Sequence, residues 1–246
     1  MDGFLTVASA GAKEAMLQQA VNAHNVANAS TIGFKADLAQ AEAVYVRGDA
    51  LDTRAVKQVS SIATDLSAGT IQQTGRDLDI AINGDGWLAV QMDDGTEGLT
   101  RRGDLRVDEF GQLTNGAGDL ILGEAGPVAL PPFDSLTIGQ DGTISIVPQG
   151  APPSNVAALD RLKLVNPAPE SISKTPSGVL MVEDGLPSVP DASVRLVTGA
   201  LEGSNVSAVG EMVKMIELAR EFEQFMKLVT VGEEVDTASS SLMRLQ

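Results

Sequence analysis

Proline and glycine are spread unevenly along this 246-residue chain, and that distribution limits what it can fold into. Residues 3–31 and 205–245 hold no proline, so nothing in them deletes a helical hydrogen bond. In the first stretch, Leu5, Ala8, Ala12, Ala15, Met16, Ala23 and Val26 recur at helical spacing on a face of mainly small side chains. A partner helix could approach such a face closely, although the same pattern would serve an amphipathic helix lying on the protein's own core. In the second, Met212, Met215, Ala219, Phe222, Met226 and Val229 stand three and four apart, a coiled-coil-like seam. Leu228, Val231, Val235, Ala238, Leu242 and Leu245 repeat the spacing in another phase. Each helical residue turns the chain through about 100°, so the two stripes face different ways. Such a helix either breaks near Gly232 or touches two partners, and the second arrangement is expected. Ser30, Thr31 and Gly33 are expected to end the first helix, with Gly33 as its C-terminal cap. Ser204 or Asn205 should cap the start of the second, with Glu211 in its opening turns.

Between these ends the texture changes. Leu78, Ile80 and Ile82 precede Gly84-Asp85-Gly86, and Trp87, Ala89 and Gln91 precede Asp94-Gly95. Further turns are expected at Asp108 to Gly111, Asn115-Gly116 and Asp141-Gly142. Asn-Gly and Asp-Gly between apolar runs signal hairpins, so the middle reads as antiparallel β, a sandwich or partly open barrel. Pro148, Pro152, Pro153, Pro167 and Pro169 mark a loop-rich part of it. The fold class is therefore α+β: terminal helices over 1–34 and 202–246, an extended polar connector over 35–77, and a glycine-turn-rich β domain over 78–201.

Composition narrows the function. A formal charge of −16 opposes binding to nucleic acid, where phosphate neutralisation dominates affinity, and to an anionic membrane surface. The absence of cysteine removes disulfides, thiolate catalysis and thiolate metal sites. No run approaches the ~20 apolar residues of a membrane span, and Met1 to Ala12 lacks the pattern of a cleaved secretory signal. Without further context the chain reads as cytoplasmic, with export by a route needing no cleaved signal left open.

Chemistry is poorly provided for. His24 is the single histidine, which leaves no convincing Ser/His/Asp or Cys/His arrangement. The series from Asn83 and Asp85 into Gly86-Trp87-Leu88 does not supply the oxygen ligands of a calcium loop, and turn chemistry explains it better. Gly84-Asp85-Gly86 lacks the Gly-Lys-Ser/Thr ending of a phosphate loop. A carboxylate pair such as Asp79 and Asp85 has nothing to distinguish it among many acids. No catalytic residue, metal or cofactor is expected.

Three stretches carry a resemblance. Asn25-Val26-Ala27-Asn28-Ala29-Ser30-Thr31-Ile32-Gly33-Phe34-Lys35 resembles the N-terminal signature of the flagellar rod and hook family, Asn, two residues, Asn, then Thr-x-Gly-Phe-Lys. Gly199-Ala200-Leu201-Glu202-Gly203-Ser204-Asn205-Val206, with Glu211-Met212-Val213 and Met215-Ile216, resembles that family's closing element. Leu78-Asp79, Gly84-Asp85-Gly86-Trp87 and Thr100-Arg101 resemble its centre. His24 replaces a common Asn and Trp87 a usual Phe. The segment Arg220-Glu221-Phe222-Glu223 differs from the Arg-Ala-Tyr-Glu-like run of distal-rod subunits, and the length leaves little room for the outer domain of hook subunits. The chain is thus most similar to proximal-rod subunits, with a distal-rod or hook-type subunit as the alternative. Outside the family, an adhesin-like β domain with oligomerising helices would explain the turns and the acidity but not the N-terminal signature.

The resemblance implies a structural subunit whose terminal helices pair as an inner helical domain lining a torque-transmitting shaft. It implies assembly contacts at Leu5, Ala8, Ala12, Asn25, Asn28, Thr31, Gly33 and Phe34, and at Asn205, Met212, Met215, Ala219, Phe222, Met226, Val229 and Leu242. It also implies passage through the flagellar type III export apparatus without a cleaved signal, and residence in the periplasmic rod. The partners would be other rod subunits and further copies of the chain, with no nucleic acid and no membrane insertion.

Overall fold

The computed structural model describes residues 2–46, 54–175, 178–182 and 187–243, with side chains described over 5–39, 63–175, 178–182 and 187–238. The chain separates into two compact units. Met1–Ala29, Asp37–Asp65 and Val206–Gln246 make a helical unit, and Ser30–Ala36 with Leu66–Asn205 a β unit.

In the helical unit, α1 (Asp2–Ala27) packs against α2 (Ala208–Met243) and against the antiparallel pair β1 (Asp37–Val46) and β2 (Arg54–Thr64). Ala8, Ala12 and Ala15 are buried on α1, and Gly11 lies beneath the ring of Phe225. On α2, Met215, Ala219, Phe222, Phe225 and Val229 are half-buried. The terminal helices are therefore paired, and small residues on α1 let the large ring of α2 come close.

Several local expectations give way here. Within 35–77, residues 37–46 and 54–64 are paired strands rather than a free connector: β1 and β2 run antiparallel from Asp37↔Thr64 to Val46↔Arg54. An irregularity beside Gln40 and Ala41 absorbs the extra residue of β2. The signal was weak because β1 is rich in alanine, a poor strand former. Helix α1 stops at Ala27, earlier than Thr31. There the Asn28 backbone and side-chain N–H groups both donate to the carbonyl of His24, closing the last turn. Gly33 is six residues further on and does not cap the helix. The start of α2 is held by Ser207, whose Oγ accepts from Gly210 N–H, and not by Ser204 or Asn205. Helix α2 runs unbroken through Gly232, which is buried.

The β unit begins with β3 (Ile71–Gln73), β4 (Ile80–Asn83), β5 (Trp87–Gln91) and β6 (Glu97–Thr100). It continues with β7 (Arg106–Val107), β8 (Leu113–Thr114), β9 (Leu120–Ile121), β10 (Phe133–Ile138), β11 (Thr143–Pro148) and β12 (Ala157–Arg161). It ends with β13 (Leu164–Val165), β14 (Ile172–Lys174), β15 (Leu180–Val182), β16 (Arg195–Thr198) and β17 (Ala200–Glu202). The largest sheet runs β14-β15-β6-β5-β9-β8-β7, with β13 also on β5, and β10-β11-β12 form a separate sheet. Strands far apart in sequence complete the unit: β16 pairs with β4 and β17 with β3, both antiparallel. Ile80, Leu88, Val90, Leu105, Leu113, Ile121, Ile144, Leu162 and Leu196 fill the core. Asp141-Gly142 turns β10 into β11 as its sequence suggests. Asn115-Gly116 does not make a two-residue turn: the side-chain oxygen of Asn115 accepts from Ala117 and Asp119 N–H, and Gly118, at φ +101°, takes the left-handed position.

The contact between Gly11 and Phe225 is open to test. A side chain at Gly11 collides with the ring, and overpacking of this kind costs about 1–3 kcal/mol. Gly11→Val should destabilise the helical unit by that amount in chemical unfolding followed by circular dichroism. Adding Phe225→Ala should return part of the loss, whereas simple additivity would contradict the contact.

Candidate functional site

Parts of the three stretches singled out in the sequence, within 30–35, 84–101 and 199–205, meet in the β unit around one carboxylate. Glu202, the last residue of β17, is fully buried. Its Oε1 accepts from Lys35 Nζ at 2.8 Å and from Gly69 N–H at 2.8 Å, and its Oε2 from Arg101 Nη1 at 2.9 Å. Its backbone carbonyl accepts from Gly33 N–H at 2.8 Å. Lys35 also donates to the carbonyl of Ser67, and Arg101 to the carbonyl of Gly84. The ring of Trp87 lies below both cations, 5.0 Å from the Arg101 guanidinium and 5.8 Å from Lys35 Nζ. Lys174 Nζ sits 4.2 Å from the Phe34 ring and donates to the carbonyl of Lys35.

Local backbone explains why these residues can converge. Thr31 to Phe34 form a turn, with Phe34 N–H donating to the Thr31 carbonyl and Gly33 at φ +68°. A Cβ on Gly33 would also strike the backbone of Arg101 and Arg102, so glycine is needed there twice over. Asn205 fastens the same segment: its side-chain oxygen accepts from Ala36 N–H at 2.8 Å, and its amide group donates to Ser67.

Burial by itself would raise the pKa of Glu202. The hydrogen bond from Lys35, the Gly69 N–H and the charges of Arg101 and Lys35 outweigh it, holding the carboxyl below its ordinary 4.5. The group is an anion bound by its surroundings, with no role left for it as an acid or base.

In the helical unit, the signature residue Asn25 is buried, and its amide exchanges two hydrogen bonds of 2.8 Å with the backbone of Asp37 at the start of β1. His24 Nδ1 lies 2.8 Å from Asp37 Oδ2, which joins the single histidine to the start of β1. The carboxylates Asp79 and Asp85 are not a working pair. Asp79 is buried and held by Arg76 and Thr74, and Asp85 is exposed on its turn.

The remaining anticipated contact residues divide clearly. Leu5, Asn28, Thr31, Gly33, Phe34, Asn205, Met215, Ala219, Phe222 and Val229 are half-buried, while Ala8 and Ala12 are buried. Met212 and Met226 face solvent at 51% and 44% exposure. The backbone of Leu242 is helical and its side chain lies outside the described residues. Sequence reasoning did not mark Glu202, Arg101, Lys35 and Trp87 as one cluster. The available signal was a charge set among apolar neighbours, at Leu201-Glu202 and at Leu99-Thr100-Arg101.

Comparison with known proteins gives the family. Residues 81–146 match the profile described as flagellar hook protein FlgE/F/G D1 domain, and residues 197–242 that of flagellar basal body rod FlgEFG protein C-terminal. The chain is 40% identical to the flagellar basal-body rod protein FlgF of Salmonella typhimurium over the whole of both chains. The chain belongs to the flagellar basal-body rod protein family. It is also 43% identical to FlgF of Escherichia coli over 94% of each chain, and 30% identical to the rod protein FlgG of Bacillus subtilis over 92% of this chain and 93% of the other. It is thus a structural rod protein similar to FlgF along its full length, and not an enzyme. The profile boundaries fall around the Glu202 cluster: Trp87 and Arg101 lie in one match and Glu202 in the other.

Removing the charge at the centre of the cluster should be costly. Glu202→Gln leaves two buried cations without their carboxylate, and breaking a buried pair in this way costs about 3–5 kcal/mol. Because folding lowers the pKa of Glu202, its charge-dependent stabilisation is complete above 4.5 and is lost as pH falls through the lower folded value. Acid titration of the folded rod protein should show this loss, and Glu202→Gln should flatten it. Equal acid limbs in the two proteins would contradict the assignment.

Proposed function

We propose that this rod protein polymerises through its terminal helices into the shaft of the flagellar basal body and passes torque along it. The observation carrying this reading is the outward side of α2. Val209, Met212, Val213 and Ile216 near its start, and Leu228, Val231 and Val235 further along, are each at least 43% exposed. At about 100° per residue, these side chains lie mostly opposite the half-buried row of Met215, Phe222 and Val229. Exposed apolar area of this extent gains about 25 cal/mol per Å² once covered, which favours a state in which neighbouring helices cover it. The second stripe of α2 is accordingly for neighbours, and Ala8, Ala12 and Phe222 hold the helix pair that presents it. A heterologous contact of this kind stays open at the growing end, so each subunit can receive the next.

The same reading supplies the partners. They are other subunits of the basal-body rod, further copies of this chain, and the type III export apparatus, which would deliver it to the periplasm without a cleaved signal. The charge of −16 keeps such a subunit soluble before assembly and argues against nucleic acid as a partner. Among the described residues no helix is long and apolar enough to cross a membrane.

Val213→Glu with Ile216→Glu tests the reading. Both residues are more than half exposed, so each change should shift the stability of the isolated subunit by only about 0.5 kcal/mol or less. The variant should be exported normally, yet purified hook–basal bodies should be missing and cells should not swim. Normal swimming with both acids in place would overturn the proposal.

A further inference from the structure

We propose that Phe110 of one copy of this chain seats in an apolar groove on the β unit of a second copy, a contact that links copies in the assembled rod. Phe110 is 87% exposed, so it is not held in a groove of its own chain. A lone exposed apolar side chain is ordinary on a protein surface, but this one stands on a fixed support. The side chain of Asp108 accepts from Phe110 N–H at 2.9 Å and from Gln112 N–H at 2.7 Å, and Gly111, at φ +79°, donates to the Asp108 carbonyl. The Gly111 carbonyl accepts from Leu130 N–H at 2.7 Å, which ties the turn to a residue of the core. A ring presented in this way needs little further ordering when it is covered.

The groove has a volume of about 520 Å³, room enough for a phenyl ring, and Pro167, Val182, Pro187, Val189 and Pro190 give it apolar walls. Val189 is 82% exposed there. Rings and prolines are both rigid, and they pack together where proline-rich segments are recognised. The placement of ring and groove points to a second copy as the occupant. Phe110 lies between β7 and β8, at one end of the largest sheet, whereas Val182 ends β15, next to last at the other end. Two different patches of one unit make a heterologous contact, which can repeat from copy to copy along a shaft. Charge is complementary as well. Arg106 on β7 is exposed and Asp191 at the groove is half-buried, and neither forms an ion pair among the described residues. Of the acids on the turn, Asp108 is spent on the N–H groups named above and Glu109 is exposed, so Arg106 is the group that Asp191 of a second copy can meet. Covering one aromatic side chain buries about 150–250 Å², far below the ~1,200 Å² of a stable interface. Free copies therefore stay apart. The contact forms where the terminal helices already hold neighbours close, so the inference rests on the assembly proposed above.

The absence of cysteine from the chain makes a cross-linking test specific. Chains carrying Phe110→Cys and Val189→Cys, co-expressed in the same cells, should be joined as a disulfide-linked dimer once isolated hook–basal bodies are oxidised with copper phenanthroline. Neither variant expressed alone should give a cross-linked product. Cross-linking in either single variant would mean a different partner, and intact basal bodies without the dimer a different contact, and each result overturns the inference. The second result would leave assembly through the helices standing, since that reading fails separately, on normal swimming by the Val213→Glu and Ile216→Glu variant. Should a cysteine chain not be incorporated, Phe110→Asp decides. The free chain should melt as the wild type does, because the site is exposed, while swimming slows about twofold through loss of a link between copies held together. Swimming at the wild-type rate would overturn the inference.

Discussion

A single buried carboxylate organises the β unit. Glu202 takes hydrogen bonds from Lys35, Gly69 and Arg101, so segments separated by 167 and 101 residues are held to one pair of oxygens. A carboxylate without these partners could not remain charged in such a place, and the cations without it would be equally costly. The arrangement is therefore all-or-none. Strand β17 must lie on β3, the turn from Thr31 to Lys35 must close, and Thr100-Arg101 must end β6 at the right level before any of the charges is satisfied. Hydrophobic burial by Leu88, Ile121, Ile144 and their neighbours supplies the drive to collapse, but it is tolerant of small displacements. The ion cluster is not, and it sets the register of the strands that carry it.

The helical unit follows a different logic. Alanine and glycine on α1 bury little area each, but Gly11 lets Phe225 of α2 come close. What this pairing leaves outside is the more informative feature for a rod protein. With α1 and α2 paired, Val209, Met212, Val213, Ile216, Leu228, Val231 and Val235 of α2 stay exposed, and it is on this surface that the proposed assembly rests.

Legibility varied with the range of the interactions. The two helices and the antiparallel middle could be read because periodicity and turn residues act within a few positions, while the pairing of the helices came from the family resemblance. Helix ends were read less well: Asn28 and Ser207 do the capping, while Gly33 and Asn205 looked like caps and serve the β unit instead. The strands β1 and β2 were missed because Ala39, Ala41 and Ala43 blur the two-residue alternation on which strand recognition rests. Trp87 stood out as a departure from the family pattern, but its position beneath two cations depends on residues brought in from both sides of the sequence.

The sequence by itself determined the α+β class, the helical ends, the absence of equipment for catalysis and membership of the rod family. These properties depend on local spacing, on composition, or on motifs written contiguously in the chain. Only the tertiary structure decided that parts of the motifs share one buried site, that Glu202 is its centre, and that Met215, Ala219, Phe222 and Val229 of α2 are half-buried while Leu228, Val231 and Val235 are exposed. Each of these is a matter of which residues meet across a hundred or more positions. Contacts at that range follow from strand pairing and helix packing taken together, and no local pattern records them.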